Sequence, residues 1–315
     1  MPSWKAKATE GAGRNNLVPG FVQSSLIGVT TTPNGQRTKM SLEKYALPAQ
    51  SPYYLEYPVK LEPRYGYGKA PHAKLYEIIN RNRTAYKRTL ESFLIFKGDF
   101  LGIALETPPE SHEPCWFNNW LGALDSVAMF SLLCLHNPKN YFEIGSGWST
   151  KFARKAITDH KLRTRIVSLD PYPRAEIDTL CDNVIREPLE DTDLSTFDKL
   201  EPGDMLFVDG SHHCCMNSDV AVFFLDVLPR LKPGIFVEFH DVFLPYDYPT
   251  GWKSYYSEQY LLAVYILAES NKFDIVLPNA FITNDAELSS ILAPVWNETN
   301  TRELTEGLSF WIQTR

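Results

Sequence analysis

The sequence lacks any apolar run long enough to cross a membrane as a helix, which takes ~20 residues. Its two most apolar stretches, Ala123–Leu135 and Val220–Leu228, are broken by Asp125 and Ser126 and by Asp226. No apolar segment follows Lys5 and Lys7, so the start does not read as a secretory leader. Cysteine is scarce: five residues, an odd number without scaffold spacing, read as reduced thiols of a cytoplasmic protein. His212, His213, Cys214 and Cys215 are consecutive and cannot all aim at one tetrahedral centre, which disfavours zinc there. Basic charge is also short. With 31 Lys and Arg against 38 Asp and Glu, and no long basic stripe, a nucleic-acid partner is disfavoured. Internal repeats are absent too. What remains is a soluble globular chain with neither a nucleic-acid nor a membrane partner, for which a homo-oligomer stays open.

The first 70 residues are rich in Gly, Pro, Thr, Asn and Tyr without a sustained period. This composition predicts disorder over 1–16 and extended, irregular structure over 17–70. A helical spacing of Leu75, Ile78, Ile79, Tyr86, Leu90, Phe93 and Leu94 predicts a helix from His72 to about Phe96. A second apolar helix is expected over Trp120–Leu135, stopped by Asn137-Pro138. Strands then alternate with helices. The expected strands are Tyr141–Ile144, Arg165–Leu169, Asn183–Arg186, Met205–Val208, Ile235–Phe239, Phe273–Leu277 and Leu308–Gln313. The expected helices are Ser149–Asp159, Arg174–Leu180, Asp193–Lys199, Asn217–Leu231, Ser254–Ser270 and Ala286–Leu292. Short apolar strands in such alternation predict an α/β, doubly wound parallel sheet.

The sharpest local feature is the run Tyr141-Phe-Glu-Ile-Gly-Ser-Gly-Trp-Ser-Thr150. A strand enters a Gly-x-Gly turn, with Ser149 or Thr150 placed to cap the next helix. Gly145 and Gly147 let the chain turn and approach a ligand without a Cβ in the way. In an open α/β sheet this first crossover is where a nucleotide-like ligand lies. Ser146 and Ser149 join the glycines as candidate cofactor contacts. Valine at either glycine is expected to block the ligand with little loss of fold. Thr150 occupies the sixth place of the dinucleotide pattern G-x-G-x-x-G, which argues against NAD. Glu143, two residues before the first glycine, is an acid that a cationic amino-acid group would meet. Asp170 ends the second strand, 25 residues after Gly145. It suits both ribose hydroxyls of an adenosine, or a helix cap before Pro171.

The fourth and fifth strands deliver further polar groups to the same carboxyl edge: Asp209-Gly-Ser-His-His213 and His240-Asp241. Carboxylates there suit a hard divalent ion completed by water and substrate hydroxyls, which makes Asp209, His240 and Asp241 candidate metal ligands. A histidine there takes a substrate proton near neutral pH, which makes His212 and His240, with Asp209, candidate catalytic residues. Each histidine singly also fits a solvated or core-satisfied side chain. Trp116, Phe117, Trp120, Phe243, Tyr246, Tyr248, Trp252, Tyr255 and Tyr256 offer aromatic surface for an acceptor pocket, or packing.

Glu143-Ile-Gly-Ser-Gly147, Leu169-Asp170, Phe207-Val-Asp-Gly-Ser-His212 and Leu231-Lys-Pro-Gly234 together resemble class I S-adenosylmethionine-dependent methyltransferases over about 140–315. Asp209 to His212 followed by His240-Asp241 is similar to the macrocin-type sugar and macrolide O-methyltransferases. The resemblance implies a Rossmann-like seven-stranded sheet, six strands parallel and the last antiparallel. It implies S-adenosylmethionine as cofactor and a small-molecule acceptor, a hydroxyl of a metabolite that can carry a sugar. It also implies magnesium on Asp209 and Asp241, with His212 as base. His240 stands where that type has a second acid, which moves the expected ion toward manganese or another imidazole-tolerant one. An N-methyltransferase, a cephalosporin-type hydroxylase and a non-catalytic cofactor-binding protein are the alternatives on this scaffold. The chain then divides into an N-terminal extension, 1–110, and a methyltransferase domain, 111–315.

Overall fold

Seven short apolar segments pair into one sheet: β1 Asn140–Ile144, β2 Arg165–Leu169, β3 Asn183–Ile185, β4 Met205–Val208, β5 Phe236–Phe239, β6 Phe273–Pro278 and β7 Phe310–Thr314. The computed structural model describes residues 60–315 except 109, 174–175, 251, 253–255, 300 and 302–304. The expectations for 1–59 therefore lie outside the described residues. The strand order is β3-β2-β1-β4-β5-β7-β6. The pairs among β1 to β5 are parallel, and β7 lies antiparallel between β5 and β6. This is the Rossmann-like sheet expected from the alternation and the resemblance. The order reverses at β1 and β4, so a crevice opens beyond their carboxyl ends.

The helices are α1 Ala73–Asn80, α2 Arg83–Phe93, α3 Lys97–Leu101, α4 Ala123–His136, α5 Trp148–His160, α6 Asp219–Val222, α7 Glu258–Leu267, α8 Asn279–Thr283, α9 Ala286–Ser290 and α10 Ala293–Thr299. The single helix expected from His72 is two. Asn80 and Asn82 are weak in helix interiors, and the Asn82 carbonyl starts α2 by accepting from Ala85 and Tyr86 N–H. The helix expected over Asn217–Leu231 is regular only in α6. It slips into a π turn over Phe223–Val227 and a 3₁₀ turn over Leu228–Arg230, because Pro229 has no N–H to return to Leu225. The stretch Asp193–Lys199 is a 3₁₀ turn over Leu194–Lys199; of the helix expected over 174–180, residues 174–175 lie outside the described residues and Asp178–Leu180 forms a 3₁₀ turn. Helix α10 extends into a stretch read as turn-rich from Asn297.

From α1 to α3, Leu75, Ile79, Tyr86, Leu90, Phe93 and Phe100 are 3% exposed or less and pack in the same core as α4 and the strands. At the amino ends of the strands Asp204 is buried and accepts from Asn140 N and Nδ2 and Glu201 N at 2.8–3.0 Å. Asp125 plays the matching part near the carboxyl ends, where α4 meets β7. It accepts from Leu308 N, Ser309 N and Asn279 Nδ2 at 2.7–2.8 Å. Among the described residues no helix is long and apolar enough to cross a membrane.

Candidate functional site

Beyond Ile144 the chain turns through Gly145 at φ +81°. A Cβ there would lie 1.9 Å from the carbonyl oxygen of Asp209, so only glycine lets the ends of β1 and β4 meet. The closure is bonded throughout. Gly145 N donates to Leu169 O (3.0 Å) and Asp209 N to Ile144 O (2.8 Å), while Ser146 N donates to the Asp170 carboxylate (2.8 Å). Helix α5 starts at Trp148, so neither Ser149 nor Thr150 is its outer cap. Thr150, inside the first turn, accepts from Gly147 N at 3.1 Å and donates to Glu143 at 2.5 Å.

Glu143 lies fully buried beneath this turn and also accepts from the Tyr141 hydroxyl (2.9 Å). Burial pushes its carboxyl up to about 7 against the hydroxyls that hydrogen-bond it. It meets the crevice through the turn it braces. Asp170 is half-buried and takes one N–H on each oxygen, from Ser146 and from Tyr172 (2.7 Å). Of the roughly four acceptor sites on a carboxylate, these two fix its plane against the turn. Ser146, Gly147, Ser149 and Asp209 all line one open crevice, together with Trp120, Leu121, Trp148 and Phe207.

The fourth- and fifth-strand residues converge as expected. His212 Nε2 is 3.0 Å from Asp209 Oδ1 and 3.7 Å from Asp241 Oδ2. His240 Nδ1 is 3.7 Å from Asp209 Oδ1 and 3.6 Å from Asp241 Oδ1, and its Nε2 is 3.7 Å from Asp125 Oδ2. These separations exceed hydrogen-bond reach. Among the described residues neither buried ring nitrogen of His240 has a hydrogen-bond partner. One donor atom each from Asp209, His240 and Asp241 lie within 4.8 Å of one another.

Charge is unevenly shared here. Burial would raise the Asp209 carboxyl, but His240 and His212 outweigh it and hold it well below the usual range. Asp241 moves the other way, raised chiefly by burial although His240 and His212 oppose this. Burial would lower both histidines. Asp209 and Glu258 instead carry His212 well above its ordinary value, and Asp241, Asp209 and Asp125 do the same for His240.

Two groups at this centre escaped the sequence reading. Glu258, 1% exposed, holds His212 Nδ1 at 2.8 Å; from sequence it is an ordinary acid in the first turn of a helix. Asp125 carried a signal, an acid interrupting an apolar helix, because such a charge is stable only when paired. Of the aromatic candidates, Trp116 is core, packed on Phe100 and Phe152. Phe243, Tyr248, Trp252 and Tyr256 form a half-buried cluster, with the Tyr256 ring 4.4 Å from that of His212. Tyr255 lies outside the described residues. His213 is exposed and Cys214 N donates to Ser257, so these neighbours do not share a centre with His212.

The glycines separate, contrary to the expectation that either tolerates valine. Gly145→Val puts a side chain into the Asp209 backbone at a left-handed φ, whereas the Cβ position of Gly147 meets nothing within 4 Å. Gly145→Val is expected to lose at least about 3 kcal/mol or fail to fold, and Gly147→Val to melt like the parent. Thermal unfolding followed by circular dichroism checks this; equal melting of the two variants would contradict it.

Comparison with known proteins adds the following. No curated protein matches. Among solved structures, the O-methyltransferase from Bacillus cereus in complex with SAH is 16% identical, covering 72% of this chain and 90% of that one, with a TM-score of 0.36. The plantazolicin methyltransferase BamL, in complex with a triazolic desmethylPZN analog and SAH, is 12% identical, covering 76% and 99%, also with a TM-score of 0.36. The mycolic acid cyclopropane synthase CmaA1 is 13% identical, covering 68% and 98%, at 0.28. The fold assignment rests on the strand order itself rather than on these likenesses. Residues 142–242, from β1 to just past β5, match the family described as a methyltransferase domain.

Proposed function

We propose that this chain transfers a methyl group from S-adenosylmethionine to a hydroxyl of a small molecule, one that can carry a sugar. The observation that supports this best is the meeting of two sets of groups at one crevice. The glycine turn, braced by Asp170, and Asp209 line it, and Asp209 in turn lies beside His212, His240 and Asp241. The donor, when bound, supplies a methyl group already activated on a sulfonium. The main task left to the protein is alignment in a dry pocket.

Asp170, fixed by Ser146 and Tyr172, accepts from the ribose hydroxyls. Gly147 and Ser149 leave room along the backbone, and Glu143 keeps the turn in place through Thr150. Leu121 and Phe207 are buried and wall the crevice against water. His212 Nε2 faces Asp209 and Asp241; as neutral imidazole it takes the acceptor proton, and because Asp209 and Glu258 favour the imidazolium, this role belongs to pH above the raised value of the ring. The residues also fit a divalent ion, since the buried His240 Nδ1, without a hydrogen bond among the described residues, lies between two carboxylates at 3.6–3.7 Å. Asp209, His240 and Asp241 would hold it, and it would orient and acidify an acceptor hydroxyl.

S-Adenosylhomocysteine is expected to bind with a Kd on the order of micromolar, and NAD not to bind. Asp170→Ala removes charge-assisted bonds of about 1.5–3 kcal/mol each and is expected to weaken binding at least about tenfold. Calorimetry checks this, and unchanged affinity removes the ribose assignment. Label from S-[methyl-³H]adenosylmethionine is expected in hydroxyl but not amine members of an acceptor panel; label in amines alone overturns the acceptor reading.

The metal reading has its own test. Calorimetric titration with Mn²⁺ is expected to show one site in the parent and none in Asp241→Ala. Identical titrations of the two proteins would dismiss this site.

A further inference from the structure

We propose that Glu258 is a positioning residue for His212, fixing the ring with Nδ1 bound behind it and Nε2 aimed at Asp209 and Asp241. What His212 then does rests on the methyltransferase reading; its being held by Glu258 does not.

His212 sits at φ +59°. A non-glycine side chain rarely adopts this left-handed conformation, and it persists only where surrounding contacts over-determine it. Those contacts come from the start of α7, across 46 residues of chain. The His212 carbonyl accepts from Ser257 N (2.9 Å) and Glu258 N (3.2 Å). Two residues on, Cys214 N donates to the Ser257 hydroxyl (2.7 Å). The Tyr256 ring lies against the imidazole at 4.4 Å. The Glu258 carboxylate closes the arrangement on Nδ1 at 2.8 Å. Three consecutive residues thus grip the backbone, one face and the rear nitrogen of a single histidine.

Glu258 is itself 1% exposed, and a buried carboxylate is costly unless it is paired. Its second oxygen has no partner, so among the described residues the side chain spends its burial on His212 alone. A buried acid behind one imidazole nitrogen, with the other on Asp209 at 3.0 Å, fixes the orientation of the ring and keeps a proton on Nδ1. An acid serving only to complement the α7 dipole would lie at the surface with its carboxylate on backbone N–H groups. This one does neither.

The test is nitrogen-15 NMR of the seven histidines in the whole protein, with His212 assigned by its loss in His212→Gln. The parent is expected to show a downfield His212 Nδ1–H shielded from exchange with water. In Glu258→Gln that proton should exchange about tenfold or more faster, as expected for losing a charge-assisted bond. In Glu258→Leu it should disappear, while affinity for S-adenosylhomocysteine stays within about twofold because the Glu258 carboxylate bonds His212 rather than Ser146, Gly147, Ser149 or Asp170. If Glu258→Leu does not fold, Glu258→Gln decides alone. A parent His212 without a proton on Nδ1, or an exchange rate unchanged in Glu258→Gln, overturns the proposal. Failure of S-adenosylhomocysteine to bind the parent would instead sink the methyltransferase reading and leave the Nδ1 result standing.

Discussion

Everything at the carboxyl edge of the sheet depends on one close approach, the backbone of Gly145 against the carbonyl of Asp209. The Asp209 N–H donates to the carbonyl of Ile144, the last residue of β1, and the Gly145 N–H ties the turn to Leu169 at the end of β2. The glycine turn and Asp170 are therefore fixed relative to Asp209, and through Asp209 to His212 and His240. A ligand seated over the turn and a group held by Asp209 would have their separation set by backbone geometry rather than by flexible side chains. For an alignment-limited reaction that is the property that matters.

The second constraint is charge. Asp125, Asp209, Asp241, Glu258, His212 and His240 crowd one region, and most are almost fully buried. Alternating acids and imidazoles let such a cluster exist, since each ring lies between carboxylates. The balance is incomplete. Among the described residues both nitrogens of His240 and one oxygen of Glu258 lack hydrogen-bond partners, and His212 and Asp241 are held in left-handed conformations. Incomplete satisfaction together with local strain costs stability and is expected at a site kept for its chemistry.

Much of this was legible in the sequence. The seven strands stand where the apolar runs put them, because short runs buried on both faces leave little freedom in placement. The strand-end positions of Asp170, Asp209, His240 and Asp241 follow directly. Helix lengths were less legible. The slip after α6 depends on Pro229, and the break between α1 and α2 on two asparagines within an otherwise continuous apolar stripe. Gly145 was read as ligand space because a Gly-x-Gly turn alone does not say which strand crosses over it. Glu258 was invisible, since nothing local distinguishes an acid that caps a helix from one turned inward to a histidine 46 residues earlier.

Hydrogen exchange of the intact chain with and without S-adenosylhomocysteine tests the seam as the cofactor site most directly. If the seam holds the cofactor, exchange slows together at residues 143–150, 170–172 and 207–212 and changes little elsewhere. Protection confined to the small cleft lined by Leu90, Leu124, Thr283 and Trp296, or no protection at saturating ligand, would contradict it.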